Sequence, residues 1–370
     1  MIKLTDIDVF AISIPLKSPI KMAGIVVTSA DNLIVRITDE AGRTGWGEAA
    51  SAPTMTGEFP EGMVAAGRFL AATLIGTTLR DTAEIQPALY ATLYGNQGPK
   101  AAFECAILDL MAQAQNVPLY TMFGGKLRDS APVLTMVAGG DAQAEVANAT
   151  AAAAAGFTAF KVKVGVGYAS VDLARCRMIR EALGPDVQIS ADANQGYDLA
   201  QALDFAHGAE GAGLDFMEQL VNGHDLAGMA QCAAATSVAL GADEGLHEIS
   251  DIQAHHDRLA ATGGSLKTIK LGGALPVMAA GRLMASLDMA VNLAGKVAET
   301  SIASAAIAHL ALALPRLDWG TSVTNQYLSD DVTDTPVRII DGQVSAPEGP
   351  GLGIRPNLEK LDQYRMRFHD

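Results

Sequence analysis

Five charged residues, Lys163, Asp192, Glu218, Asp243 and Lys267, each close a separate short apolar segment of this 370-residue chain. Three acids flanked by two lysines are what metal-assisted proton abstraction needs: carboxylates to hold a divalent cation, amines to take up and return a proton. Hydrogens α to a carboxylate are very weakly acidic. Their removal near neutral pH requires a preplaced cation facing the oxygens on which charge develops. Mg²⁺ suits this role, being hard and oxygen-seeking, with Mn²⁺ as the alternative. A lysine acts as base only if its pKa falls well below ~10.4, toward ~7–8. Lys161 lies two residues before Lys163 on one strand, shares its face, and by like charge disfavours protonation of both. Each residue also has a plainer reading: a Lys-x-Lys pair as a solvated strand face, and each acid as a helix N-cap or first-turn group.

The elements that must position these groups are legible in the surrounding text. Phe160-Lys161-Val162-Lys163-Val164, Ile189-Ser190-Ala191-Asp192, Leu214-Asp215-Phe216-Met217-Glu218, Val238-Ala239-Leu240-Gly241-Ala242-Asp243 and Ser265-Leu266-Lys267 are apolar runs ending in charge. The gaps between the five residues are 29, 26, 25 and 24, about one strand plus one helix each. Candidate strands at 132–137, 158–164, 187–192, 214–218, 238–242, 266–270, 289–293 and 317–319 alternate with helical patterns, which implies a parallel sheet. Eight such units predict a closed α/β barrel with its site at the carboxyl ends of the strands. An open doubly wound sheet is the competing architecture, but Gly165-Val166-Gly167 lacks the third glycine of its fingerprint.

Before the barrel, residues 1 to about 50 alternate in strand fashion, with Asp39-Glu40-Ala41-Gly42 as a turn. Phe103, Ala106, Ile107, Leu110, Met111 and Ala114 then mark a helix. The expected organisation is an α+β domain over 1–128, a barrel over 129–320, and a segment, 321–370, that returns to the first domain. A net charge of −15 without any basic run argues against nucleic-acid or anionic-membrane partners. The longest apolar stretch, Ile302 to Leu314, is interrupted by His309 and too short to span a bilayer. The N-terminus lacks a signal-peptide h-region, and the expected location is cytoplasmic. Cys105, Cys176 and Cys232 are widely spaced and read as buried small apolar residues.

In order and spacing, Lys161-Val162-Lys163, Asp192-Ala193-Asn194, Met217-Glu218-Gln219, Ala242-Asp243-Glu244, and Lys267 followed by Gly272-Gly273 resemble the motif series of the enolase superfamily, in its muconate-lactonizing-enzyme subgroup. The resemblance implies a modified (β/α)₇β barrel under an N-terminal cap, a Mg²⁺ ion held by Asp192, Glu218 and Asp243, and Lys163 and Lys267 as acid/base groups on opposite faces of the substrate. By the same resemblance Glu299 faces substrate; its plainer reading is an acid near a helix start. Lys161 tunes Lys163 and touches the substrate carboxylate, and Asn194 either supports a ligand or forms a turn. Lys21 is either a cap residue that reaches a distal anionic group or a surface lysine. Glu58-Phe59-Pro60-Glu61-Gly62, Trp319-Gly320-Thr321 and Pro347-Glu348-Gly349-Pro350-Gly351-Leu352-Gly353 are similar to muconate cycloisomerases. Two departures stand out. Leu220 replaces a common proline, and Ser51-Ala52-Pro53-Thr54-Met55-Thr56 replaces a glycine- and tyrosine-rich capping loop that touches substrate in the family.

The partner implied is a small carboxylic acid, and the chemistry a proton moved at its α carbon through a metal-stabilised enolate. Cycloisomerisation, racemisation or epimerisation of an amino-acid derivative, and syn-dehydration of the o-succinylbenzoate synthase kind all fit. The Asp-x-Asp pair by which dipeptide epimerases hold an ammonium group is absent from Trp319-Gly320-Thr321-Ser322, which favours cycloisomerase-like chemistry. No histidine stands at the late strand ends where the mandelate-racemase branch keeps its base. A catalytically silent barrel that binds an acid would be expected to lose one lysine, and both are present. Homo-oligomers are expected through the cap or outer helices.

Overall fold

The computed structural model describes residues 1–22, 25–139 and 141–368. The N-terminal part is an antiparallel sheet of β1 (Ile2–Met22), β2 (Ile25–Asp39), β3 (Thr44–Ala50) and β4 (Thr78–Leu79), in the order β3-β2-β1-β4. The turn between β2 and β3 falls at Asp39–Gly42, as the sequence predicts: the Asp39 carboxylate accepts from Ala41 N and Arg43 N, and Gly42 takes φ +77°. Against this sheet lies the helix Gln97–Gln115, which buries Phe103, Ala106, Ile107 and Leu110. Helix and sheet approach so closely that a Cβ on Gly47 would sit 1.8 Å from the Ala102 carbonyl oxygen.

The central unit is a ring of parallel strands in sequence order: β6 (Leu134–Val137), β7 (Ala159–Lys163), β8 (Gln188–Asp192), β9 (Phe216–Glu218), β10 (Ala239–Ala242), β11 (Gly263–Leu266), β12 (Ala290–Ala294) and β13 (Thr321–Ser322). A parallel bridge from Val133 to Thr321 brings the last strand back to the first. A short antiparallel edge, β5 (Ala131–Pro132) with β15 (Gln343–Val344) and β14 (Ile339–Ile340), lies at the barrel's amino-terminal end. The C-terminal segment then reaches the cap sheet, where Met366 N donates to Ala11 O and Ser13 N to Tyr364 O.

Two strands differ from their sequence-based positions. The sixth is Gly263–Leu266 rather than 266–270, because Thr268–Leu271 turns into a short helix after Lys267. Its glycines fall outside the expected strand but are demanded by packing: a Cβ on Gly263 would lie 2.3 Å from the Trp319 ring. The eighth is Thr321–Ser322 rather than 317–319. Asp318 is spent holding a loop, through Arg316 and Val291 N, and Gly320 turns the chain at φ +69°. Trp319 instead enters the barrel and stacks on Phe216, 4.2 Å between centroids and 4° between planes. With Leu134 and Ala159 these rings close the amino-terminal floor, leaving a cavity at the carboxyl end. The three cysteines are buried and unpaired. Among the described residues no helix is long and apolar enough to cross a membrane.

Candidate active site

Strand register sets the site. Lys163 of β7 pairs with Asp192 of β8, and Asp192 with Glu218 of β9; Asp243 and Lys267 follow the last residues of β10 and β11. Side chains at the strand ends therefore converge over the barrel mouth. Lys161, Lys163, Asp192, Asn194, Asp243 and Lys267 all line one cavity of ≈ 230 Å³, covered from the cap by Thr54 and Met55. Glu218 is buried just beneath, where Ser265 Oγ donates to its Oε1 at 2.7 Å. The cap loop singled out in the sequence thus roofs the same cavity.

The charges are interlocked. Lys161 pairs with Glu218 and lies 4.0 Å from Asp192; Lys163 lies 2.5 Å from Asp192. Lys267 pairs with Asp243, as does Lys270 at 2.6 Å. Asn194 does double service: its Oδ1 accepts from Lys163 at 2.7 Å and its Nδ2 donates to Glu244 at 3.1 Å. Gln219, at φ +39°, accepts from Asp243 N and Gly245 N, which fixes the turn after β10.

Burial pushes the acids up, but for Asp192 the ammonium groups of Lys163 and Lys161 outweigh it and hold the carboxyl below its ordinary range. Asp243 is held well below by Lys267 and Lys270 against the same burial. Glu218 stays raised, since its burial exceeds the help from Lys161. Burial pulls Lys161 and Lys267 down, yet the surrounding carboxylates prevail and both stand above the usual lysine value. The expected depression of lysine basicity needs another cation to take up that carboxylate charge.

Among the described residues no three acidic, His or Cys side chains already stand at ligand spacing, since Asp192, Glu218 and Asp243 are each turned toward an ammonium group. The donor set nevertheless fits an oxygen-preferring divalent ion. It offers hard anionic oxygens on three neighbouring strands, and beside them Glu244 Oε2 is buried without a hydrogen-bond partner among the described residues. Its burial, with Asp243 and Asp192 nearby, raises Glu244 to about 7.

Glu299 is not among the cavity-lining residues. It is buried behind the loop Gly295–Val297, where a Cβ on Gly295 would lie 2.6 Å from its Oε2. Among the described residues that oxygen has no hydrogen-bond partner, and burial with Glu48 close by raises Glu299 to about 8. The Lys21 side chain lies outside the described residues. Sequence reasoning passed over Lys270, Ser265, Glu244 and Lys296. Lys270 carried a usable signal, since it stands three residues after Lys267 and one helical turn returns it to the same acid.

Comparison with known proteins agrees with this architecture. Residues 4–124 match the mandelate racemase / muconate lactonizing enzyme N-terminal domain, and residues 144–361 the enolase C-terminal domain-like family. The chain is 29% identical over 370 residues to a chloromuconate cycloisomerase of Pseudomonas putida, covering 98% of this chain and 99% of that protein. It is 32% identical to the L-Ala-D/L-Glu epimerase of Bacillus subtilis, over 95% of this chain and 96% of the other. The crystal structure of a dipeptide epimerase from Cytophaga hutchinsonii, complexed with Mg and the dipeptide D-Ala-L-Val, superposes with a TM-score of 0.92 at 29% identity, covering 98% of each chain. The chain belongs to the mandelate racemase / muconate lactonizing enzyme family of the enolase superfamily.

Proposed function

We propose that this protein is an isomerase that moves a proton at the carbon α to the carboxylate of a small acid, with Lys163 and Lys267 as its acid/base pair. The observation that carries the reading is that these two lysines line one cavity from β7 and from the end of β11, with Asp192, Glu218 and Asp243 on the three strand ends between them. Asp192, Glu218 and Asp243 would hold Mg²⁺, or Mn²⁺ in its place. When bound, such an ion offsets the negative charge that gathers on the carboxylate oxygens as the α carbon loses its proton. Lys161, beside Glu218, is positioned to donate to a substrate carboxylate. Asn194 orients Lys163 through its amide oxygen.

Proton handling by the two lysines accommodates either outcome. In a cycloisomerisation the substrate's remote carboxylate adds to its C=C bond, forming the lactone C–O bond, and one ammonium delivers a proton to the α carbon that receives the π electrons, while the opposite lysine is a spectator. In racemisation one neutral amine takes the α proton and the ammonium of the other lysine returns one to the opposite face. Cycloisomerase-like chemistry is favoured because, among the described residues, the β12–β13 wall offers no carboxylate to hold an ammonium group. The second reading, racemisation or epimerisation, draws on the epimerase relative at 32% identity. Homo-oligomerisation of a soluble enzyme is part of the same proposal.

Incubation of the Mg²⁺-loaded protein in D₂O with a panel of unsaturated diacids, lactones, dipeptides and N-acylated amino acids, followed by NMR, tests the function. Lactone formation or α-deuteration is expected for at least one class. A silent panel with metal binding demonstrated would refute it.

A further inference from the structure

Four lysines of the site, Lys161, Lys163, Lys267 and Lys270, each lie against a carboxylate. A fifth, Lys296, does not. It follows β12, lines the same cavity, and among the described residues has no acidic group within ion-pair distance. Its ammonium donates only to Val297 O, at 3.1 Å, the carbonyl of the next residue. An ammonium can donate three hydrogen bonds, so two remain unassigned. Lys296 is half-buried in the cavity wall, where a ligand can supply a partner for its free donors.

Its backbone is fixed. Thr324 Oγ1 donates to Lys296 O at 2.9 Å and accepts from Glu299 N at 2.9 Å, while Gly295 N donates to Ser322 O. In the eight-strand ring β12 stands four places from β8, so Lys296 faces Asp192 across the cavity. The lining toward β6 and β13 includes Leu134, Met136 and Val323, an apolar span.

We propose that Lys296 is a specificity-determining residue that binds a second anionic group of the substrate, a carboxylate at the end remote from the one that meets the metal-binding arc. The proposal rests on the acid-binding reading of the site given above. Burial and the nearby Lys267 and Lys163 ammonium groups pull Lys296 down to about 8, so near pH 7 it still carries its charge. An apolar chain linking two carboxylates matches a cavity with cations at both ends and an apolar wall between them.

The test is calorimetric binding, with Mg²⁺ present, of linear diacids from succinate to suberate and of their monomethyl esters. The unaltered protein is expected to bind at least one diacid about 10- to 100-fold more tightly than its monoester. Lys296→Met should abolish that preference, and Lys296→Arg should retain most of it. Thermal melts of both variants establish that they are folded. Equal affinity of diacid and monoester for the unaltered protein, or a preference that survives Lys296→Met, overturns the role of Lys296. If no acid of either kind binds, the acid-binding reading of the whole site fails, and this assignment with it.

Discussion

Lys163 and Lys267 extend from the ends of β7 and β11, four places apart in a ring of eight strands, and so stand on opposite walls of one cavity. Each is tethered to a different carboxylate, Asp192 for the first and Asp243 for the second. The proposed function gives each lysine its own face of the substrate.

Single replacements should expose that separation. For racemisation, Lys163→Ala and Lys267→Ala are each expected to lower solvent-deuterium exchange at one face of the α carbon by about 10²- to 10⁴-fold, the usual span for a lost acid/base group, whereas for cycloisomerisation only one of the two replacements should cause that loss. NMR of separately resolved stereoisomers checks this. Equal loss at both faces in both variants would mean that the lysines act as one unit rather than two.

Chelation should silence the enzyme reversibly. Treatment with EDTA is expected to reduce turnover to background, and Mg²⁺ or Mn²⁺ to restore it. Asp192→Asn should weaken Mg²⁺ binding by about tenfold or more in a calorimetric titration, since a neutral amide replaces an anionic oxygen donor. Unchanged Mg²⁺ affinity would remove Asp192 from the ligand set.

Much of this arrangement is visible in the sequence, for a physical reason. Strands buried on both faces must be apolar, so charge at their ends announces itself, and Lys163, Asp192, Glu218, Asp243 and Lys267 are found that way. Residues whose role depends on contacts distant in the chain are not. Gly263 falls outside the expected sixth strand because its place there depends on Trp319, 56 positions later, which occupies the space a side chain would need. Glu299 stands near a strand end like the others, but the loop at Gly295 comes between it and the cavity. Lys296 shows no pattern in sequence, because an ammonium without a carboxylate beside it among the described residues is recognised only once its neighbours are known.

Stability should decline as pH rises, in part through Glu299. Its carboxyl is raised by burial, and by Glu48 nearby, from 4.5 to about 8. Between those values the unfolded chain has released the proton that the folded chain retains. The stabilisation is therefore complete below the lower value and lost as pH climbs through the upper. Glu48, raised by burial to about 6, adds a narrower window of the same sign. Glu299→Gln, which mimics the protonated acid, should flatten the fall in Tm between pH 5 and 8. Parallel curves for variant and parent would refute the assignment.

Glu48 itself joins cap to barrel. Its carboxylate accepts from Asn32 Nδ2, Thr300 N, Thr300 Oγ1 and Ala303 N, at 2.6 to 2.9 Å, at the start of the helix Ser301–Ala313. Glu48→Ala would leave those donors buried without a partner, at a cost of about 2–4 kcal/mol. Urea denaturation measures the loss, and a change under about 0.5 kcal/mol would indicate that water replaces the carboxylate.

The floor made by Trp319 and Phe216 also has an optical consequence. The chain contains two tryptophans, and the other, Trp46, lies in cap strand β3. Each half of the molecule therefore carries its own fluorophore. In Trp46→Phe the emission reports on the barrel alone, and in Trp319→Phe on the cap alone. Two spectra from one polypeptide can thus reveal whether roof and barrel melt together or in succession.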